Sequence, residues 1–95
     1  MRLSEYERTS IREAVTNFIP DAKILLYGSR TDDAKRGGDI DILILTPGEV
    51  DMRTRLKIEA GIWKRIGEQK MDVIFEKPGA LSLFGEIVLP QALPI

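Results

Sequence analysis

Asp39-Ile40-Asp41 opens the aliphatic run DIDILIL. In an extended strand, residues two apart share a face and stand ~6.5 Å apart along the chain. Two carboxylates so placed repel each other, so either one takes up a proton or both share a cation. Magnesium meets that need, because it takes one or two carboxylates and completes its shell with phosphate oxygens and water. A solvated strand end carrying two surface aspartates is the plain alternative. A third carboxylate, Asp72, lies between Met71 and Val73 in the short run MDVIF, where an aspartate is disfavoured. If that strand lies beside residues 39–45, Asp72 joins the pair; otherwise Lys70 is its natural partner.

Gly28-Ser29 closes the apolar run KILLY. Glycine lets the backbone approach a phosphate, and the N–H groups of a tight turn form an anion-binding nest. The serine hydroxyl adds a donor. Arg30, Lys35 and Arg36 follow and can offset phosphate charge, although Asp32 and Asp33 stand among them. On its own, Gly-Ser is more often a simple turn, and the basic residues after it are more often solvated loop charges.

Composition removes most other chemistry. The 95 residues include no His and no Cys. That excludes a Ser-His-Asp triad, a thiolate nucleophile, a disulfide framework and His- or Cys-ligated metals. Metal chemistry is left to carboxylates and hard cations. With 43% hydrophobic and 31% charged residues the chain has the balance of a soluble globular domain. A net charge of −1 argues against general nucleic-acid binding. No apolar run approaches the ~20 residues of a membrane span, and the charged start MRLSEYERTS does not read as a signal peptide. The cytoplasm is the expected compartment.

The elements that must position these residues are readable from their punctuation. Ser4 and Glu7 form a capping-box pattern ahead of a helix over 4–19, with Ile11, Ala14, Val15, Phe18 and Ile19 on its apolar face. Strands are predicted at 23–27, 39–45 and 71–75. In the second, Asp39, Asp41, Leu43 and Leu45 take one face and Ile40, Ile42 and Ile44 the other. Asp51 caps a helix over 52–66, and Gly67 ends it. Met52, Leu56, Ile62, Trp63 and Ile66 form its apolar stripe, with Glu59 in their midst and expected to pair with Arg55. The segment 77–95 is an apolar tail with a short helix in LSLFGEIV. It either packs on the domain or offers a surface to a partner, a second copy of the chain included. The expectation is one α/β (α+β) domain over 1–95: a small mixed three-stranded sheet with two main helices.

Taken together, the strand, Gly-Ser, nine intervening residues, Asp-x-Asp on the next strand, a helix and an Asp on the third strand form a composite motif. It resembles the polymerase-beta-like nucleotidyltransferase superfamily, in its short form, the minimal nucleotidyltransferase (MNT) domain. The matching residues are Leu26-Tyr27-Gly28-Ser29-Arg30, Gly38-Asp39-Ile40-Asp41-Ile42-Leu43 and Asp72-Val73-Ile74, within about residues 5–76. The stretch after Arg30, Thr-Asp-Asp-Ala-Lys-Arg-Gly-Gly, is more acidic than the Arg-rich version often seen there.

The resemblance implies that Gly28 and Ser29, with Arg30 beside them, hold the phosphates of a nucleoside triphosphate such as ATP. It implies that Asp39 and Asp41 bind two Mg2+ ions, and that Asp72 completes the ligand set and helps deprotonate the attacking hydroxyl. The reaction would be in-line attack on the α-phosphorus with loss of pyrophosphate. MNT domains are commonly the antitoxin half of a pair with a HEPN-domain ribonuclease, and some transfer AMP to a tyrosine of that toxin. The resemblance thus implies AMP transfer to a hydroxyl of a HEPN-type partner. Two other readings remain open: a non-catalytic antitoxin that acts by contact, and transfer to a small molecule.

Overall fold

Ser4 and Glu7 set the point at which the chain first becomes helical. In the computed structural model, which describes residues 1–95, the Glu7 N–H donates to Ser4 Oγ at 3.0 Å. The Ser4 N–H donates to Glu7 Oε1 at 2.9 Å. This reciprocal capping box satisfies two N–H groups that a helix start leaves without partners, and α1 follows over Glu5–Thr16. Phe18, read as part of its apolar face, falls beyond the helix end and is exposed. The second helix, α2, covers Met52–Ile66. Asp51 Oδ1 accepts from the Thr54 N–H at 2.8 Å at its start, and Gly67, at φ 85°, ends it.

The strands are β1 (Lys23–Tyr27), β2 (Ile40–Leu45), β3 (Met71–Glu76) and β4 (Leu93–Pro94). They form one mixed sheet in the order β3-β2-β1-β4. β1 is antiparallel to both β2 and β4, while β2 and β3 are parallel and joined through α2. The sheet therefore has four strands where the sequence predicts three. The extra strand is two residues long, too short to carry an alternation, and it forms because the tail doubles back along the free edge of β1. The Ile95 N–H donates to Ile24 O at 3.0 Å there. No helix is long and apolar enough to cross a membrane.

The alternation in β2 divides the molecule. Ile40, Ile42 and Ile44 lie fully buried with Ile24 and Leu26, beneath Ile11, Ala14 and Val15 of α1 and Ile58 and Ile62 of α2. Leu43 and Leu45 face the other way, with Tyr27, and are covered by Leu81, Val88, Leu89 and Ala92 of the tail. The tail thus packs on the face of the sheet that carries Asp41. A short helix, α3 (Leu83–Val88), is started by Ser82, whose Oγ accepts from the Gly85 N–H at 3.1 Å. Glu76 at the end of β3 anchors this turn by accepting from the Ser82 N–H and hydroxyl at 2.7 and 2.8 Å. A Cβ at Gly85 would lie 2.6 Å from Glu76 Oε1, so a larger residue there would displace the Glu76 carboxylate from Ser82.

One part of the predicted apolar stripe on α2 points outward. Met52, Leu56 and Trp63 are 66%, 57% and 42% exposed, whereas Ile58 and Ile62 are fully buried. The helix carries two neighbouring apolar lines, and the sheet accepts the one four residues apart at 58 and 62. Arg55 belongs to this inner side, with its guanidinium 5.0 Å from the Phe75 ring centre and its Nε donating to Val50 O at 2.9 Å. It does not pair with Glu59, which forms no ion pair. Truncating the two lines separates them: Ile58→Ala should cost about 2–4 kcal/mol, and Leu56→Ala less than ~0.5 kcal/mol. Urea unfolding of both variants checks this, and equal losses would mean that α2 presents a different face to the sheet.

Candidate active site

A parallel pair of strands puts two strand starts at the same edge of a sheet, and an antiparallel neighbour adds its end. Here the edge receives the end of β1 and the starts of β2 and β3. The register sets Tyr27 opposite Asp41 and Asp41 opposite Asp72. All three side chains occupy one row on one face, with adjacent strands ~4.8 Å apart. Tyr27 Oη donates to Asp72 Oδ2 at 3.2 Å across the row. The buried Tyr27 ring meets Phe84 of α3 edge-on, with centroids 5.9 Å apart at 77°. The tail therefore forms one wall of the row.

Gly28 follows Tyr27 directly and has φ 77°. A Cβ at this position would be driven into Asp41 Oδ2, so the carboxylate rests against the Gly28 backbone. Gly38, at φ 90°, makes the same kind of room for the Ser29 hydroxyl. Both positions require glycine twice over: for the left-handed backbone and for the space. Gly28, Ser29, Gly38 and Asp41 are thereby brought into one small area. Asp39, one residue before β2, is close enough for its charge to act on Asp41.

The electrostatics are unbalanced. Partial burial, then the charges of Asp72 and Asp39, push the Asp41 carboxyl above the usual carboxylate range. Burial, the charges of Asp72 and Asp41, and the hydrogen bond to Asp72 push the Tyr27 phenol above its ordinary value. None of the three aspartates is paired with a lysine or arginine. Lys70 is not on Asp72. Arg30 is spent on backbone, its Nε donating to Gly38 O at 3.2 Å and its Nη1 to Arg2 O at 3.0 Å.

An all-oxygen, negatively charged edge suits a hard divalent cation. The carboxylates do not close into a three-ligand cage that would hold a metal alone. This fits a cation whose remaining ligands are phosphate oxygens and water. The four clefts of the surface all lie elsewhere, none of them lined by Asp39, Asp41 or Asp72. The acidic edge is open.

The chain matches the family model described as nucleotidyltransferase domain over residues 8–87. The chain belongs to that family. Nucleotidyl transfer is the domain's general chemistry, and nucleotidyltransferase domains generally use a nucleoside triphosphate and a divalent metal. No protein of curated function matches the chain. The family match reaches α3, beyond the limit near 76 that the motifs alone suggest, and so takes in the wall that Phe84 gives the acidic row. Sequence reasoning singled out Gly28, Ser29, Arg30, Asp39, Asp41 and Asp72; this nucleotidyltransferase domain brings them to one edge, except that the Arg30 guanidinium is turned to the Gly38 and Arg2 carbonyls. It passed over Tyr27 as a site residue, although the phase of KILLY against DIDILIL already allows it on the aspartate face.

The repulsion on Asp41 has a consequence for stability. A carboxyl with a raised pKa in the folded state keeps its proton to higher pH than the unfolded chain does, so stability falls as pH rises between the two values. At pH 7 the folded domain carries the full repulsion, and Asp41→Asn removes it. The variant should melt above the parent at pH 7, and the difference should shrink toward pH 4. Because water screens the open edge, the gain is at most about 1 kcal/mol, or roughly 4–8 °C for a domain of this size. Thermal melts across pH 4–7 without divalent ions test it, and a lower melting point for Asp41→Asn at pH 7 would contradict the assignment.

Proposed function

We propose that this domain transfers AMP from ATP to a hydroxyl group of a partner protein in the cytoplasm, and that the partner is a HEPN-type ribonuclease toxin silenced by the modification. The observation that carries the reading is the open row of Tyr27, Asp41 and Asp72 beside the Gly28-Ser29 turn. Such an edge can hold a triphosphate, but it has no cleft to enclose a small acceptor. An acceptor presented by another protein suits it better.

In this reading Gly28 and Ser29 orient the phosphates through backbone N–H groups and the serine hydroxyl. Asp39 and Asp41, with Asp72, would hold magnesium, which when bound supplies charge neutralisation and lowers the pKa of an attacking hydroxyl. Asp72 takes the proton of the acceptor hydroxyl; that its Oδ2 already accepts from a phenol, that of Tyr27, supports this role. The acceptor oxygen bonds to the α-phosphorus as the bond to pyrophosphate breaks. Positioning and charge neutralisation do most of the work, so no imidazole is required.

Exposed Leu83, Phe84 and Ile87 of α3 favour a second reading, in which the domain neutralises the toxin by contact alone. The same side chains would serve a homo-oligomer formed through the tail. Labelling separates catalysis from contact. With ATP labelled at the α-phosphate, magnesium and the cognate HEPN protein, the partner should become labelled. Asp39→Asn and Asp41→Asn should each lower the rate by roughly 10²–10³-fold or more. Absence of labelling with every divalent ion would overturn the enzymatic reading, and full neutralisation by the unlabelling double variant would establish contact.

A further inference from the structure

We infer that Arg2 is a positioning residue that shapes the Gly28–Gly38 segment into a triphosphate-holding turn; the inference rests on the role given above to Gly28 and Ser29. This segment joins β1 to β2 and is polar and mostly exposed, with one turn of 3₁₀ helix at Gly28–Thr31 as its regular structure. It has almost no apolar side chains with which to fix its shape. Arg2 supplies what burial does not.

The Arg2 guanidinium donates to three carbonyls spread along the segment. Nη2 reaches Ser29 O at 3.0 Å, Nε reaches Asp32 O at 2.9 Å and Nη1 reaches Gly37 O at 2.7 Å. The main chain of Arg2 adds two bonds. Its N–H donates to Arg30 O at 2.8 Å, and its carbonyl accepts from Arg30 Nη1 at 3.0 Å. Arg30 in turn holds Gly38 O. Arg2 forms no ion pair with any carboxylate, so its direct partners are all carbonyls, although the Asp33 carboxylate on the N-terminal amine also feels its charge.

Two physical points turn this web into a positioning role. The guanidinium is a rigid planar fork, so three carbonyls that each meet a different nitrogen are fixed relative to one another; an ammonium is a point charge and does not impose that geometry. A trans peptide unit carries its C=O and N–H on opposite sides, so every carbonyl turned toward Arg2 turns an N–H away from it. The cation gathers the carbonyls of Ser29, Asp32 and Gly37 and so turns the N–H groups of Arg30, Asp33 and Gly38, which share those peptide units, away from itself. Nη2 also lies 3.9 Å from where a Cβ on Gly38 would stand, beside the Ser29 hydroxyl. Arg2 thus sits behind the turn rather than in the acidic row, and it acts on substrate through Ser29 and its neighbours.

The test uses the full chain with magnesium and an ATP analogue whose α,β-bridging oxygen is replaced by methylene, titrated by calorimetry, followed by the labelling reaction. Arg2→Ala and Arg2→Lys should each weaken analogue binding roughly 10-fold or more. In the labelling reaction they should raise KM for ATP by a similar factor and leave kcat at saturating ATP within about 3-fold. Methylguanidine added to Arg2→Ala should restore part of the binding. Arg2→Lys keeps a cation and guards against a misfolded Arg2→Ala, its melting point confirming the fold. Variants that bind the analogue as tightly as the parent would overturn the role of Arg2 alone. A fall in kcat with KM unchanged would place Arg2 at the reacting atoms and overturn the positioning role. A parent chain that binds no triphosphate would overturn the reading of Gly28-Ser29 and this inference with it.

Discussion

The contact between the Asp41 carboxylate and the backbone of Gly28 constrains the rest of the site. It requires a residue without Cβ at the end of β1, a positive φ there, and a register that puts Tyr27 opposite Asp41. Once these hold, Asp41 stands beside a turn that can present N–H groups to a phosphate, and its neighbour Asp72 is fixed by the parallel pairing of β2 and β3. A larger residue at 28 would break this arrangement locally without touching the core beneath, because the aspartate face and the isoleucine face of β2 are separate surfaces.

That separation explains how so small a domain tolerates an unpaired acidic edge. Stability comes from the helix side, where Ile40, Ile42 and Ile44 are fully buried between β2's neighbours and the two helices. Alternation lets the same strand serve both purposes. The isoleucine face is buried along its length, and the other face is buried at Leu43 and Leu45 and carries the like-charge repulsion only at its Asp41 end. The partial burial and repulsion that raise the Asp41 pKa are then a tolerable local defect, and a divalent cation is the natural relief of such a charge cluster.

Much of this was legible in the sequence because its signals are local. The limits of α2 lie where Asp51 and Gly67 place them, and β1 covers the whole of KILLY. The two faces of β2 follow from alternation alone. What was illegible depends on partners far along the chain. Nothing in residues 71–76 states that they run parallel to β2, so Asp72 joined the row only as a conditional. The outer side of α2 was misread because Met52, Leu56 and Trp63 are as apolar as Ile58 and Ile62, and only docking on the sheet decides between them. Arg2 gave no signal at all. A side chain that binds carbonyls 27 to 35 positions away leaves neither a period nor a compositional trace.

The tail shows how far the open edge is a designed surface rather than an unfinished one. Glu76 and Ser82 fix the turn that brings α3 back over the sheet, and Phe84 closes on the Tyr27 ring. Yet the tail stops short of covering Asp41 and Asp72, and Leu83 and Ile87 remain exposed beside Phe84. A domain that needed only stability would gain by burying these side chains. Their exposure sets an apolar surface beside the row of carboxylates, and under the proposed function that surface is where a protein acceptor would dock. The absence of His and Cys is consistent with the same design. Where the acidic edge takes a metal and a phosphate and the partner brings the hydroxyl, the domain's own contribution is reduced to geometry. That geometry is held by glycines, a strand register and one arginine fork.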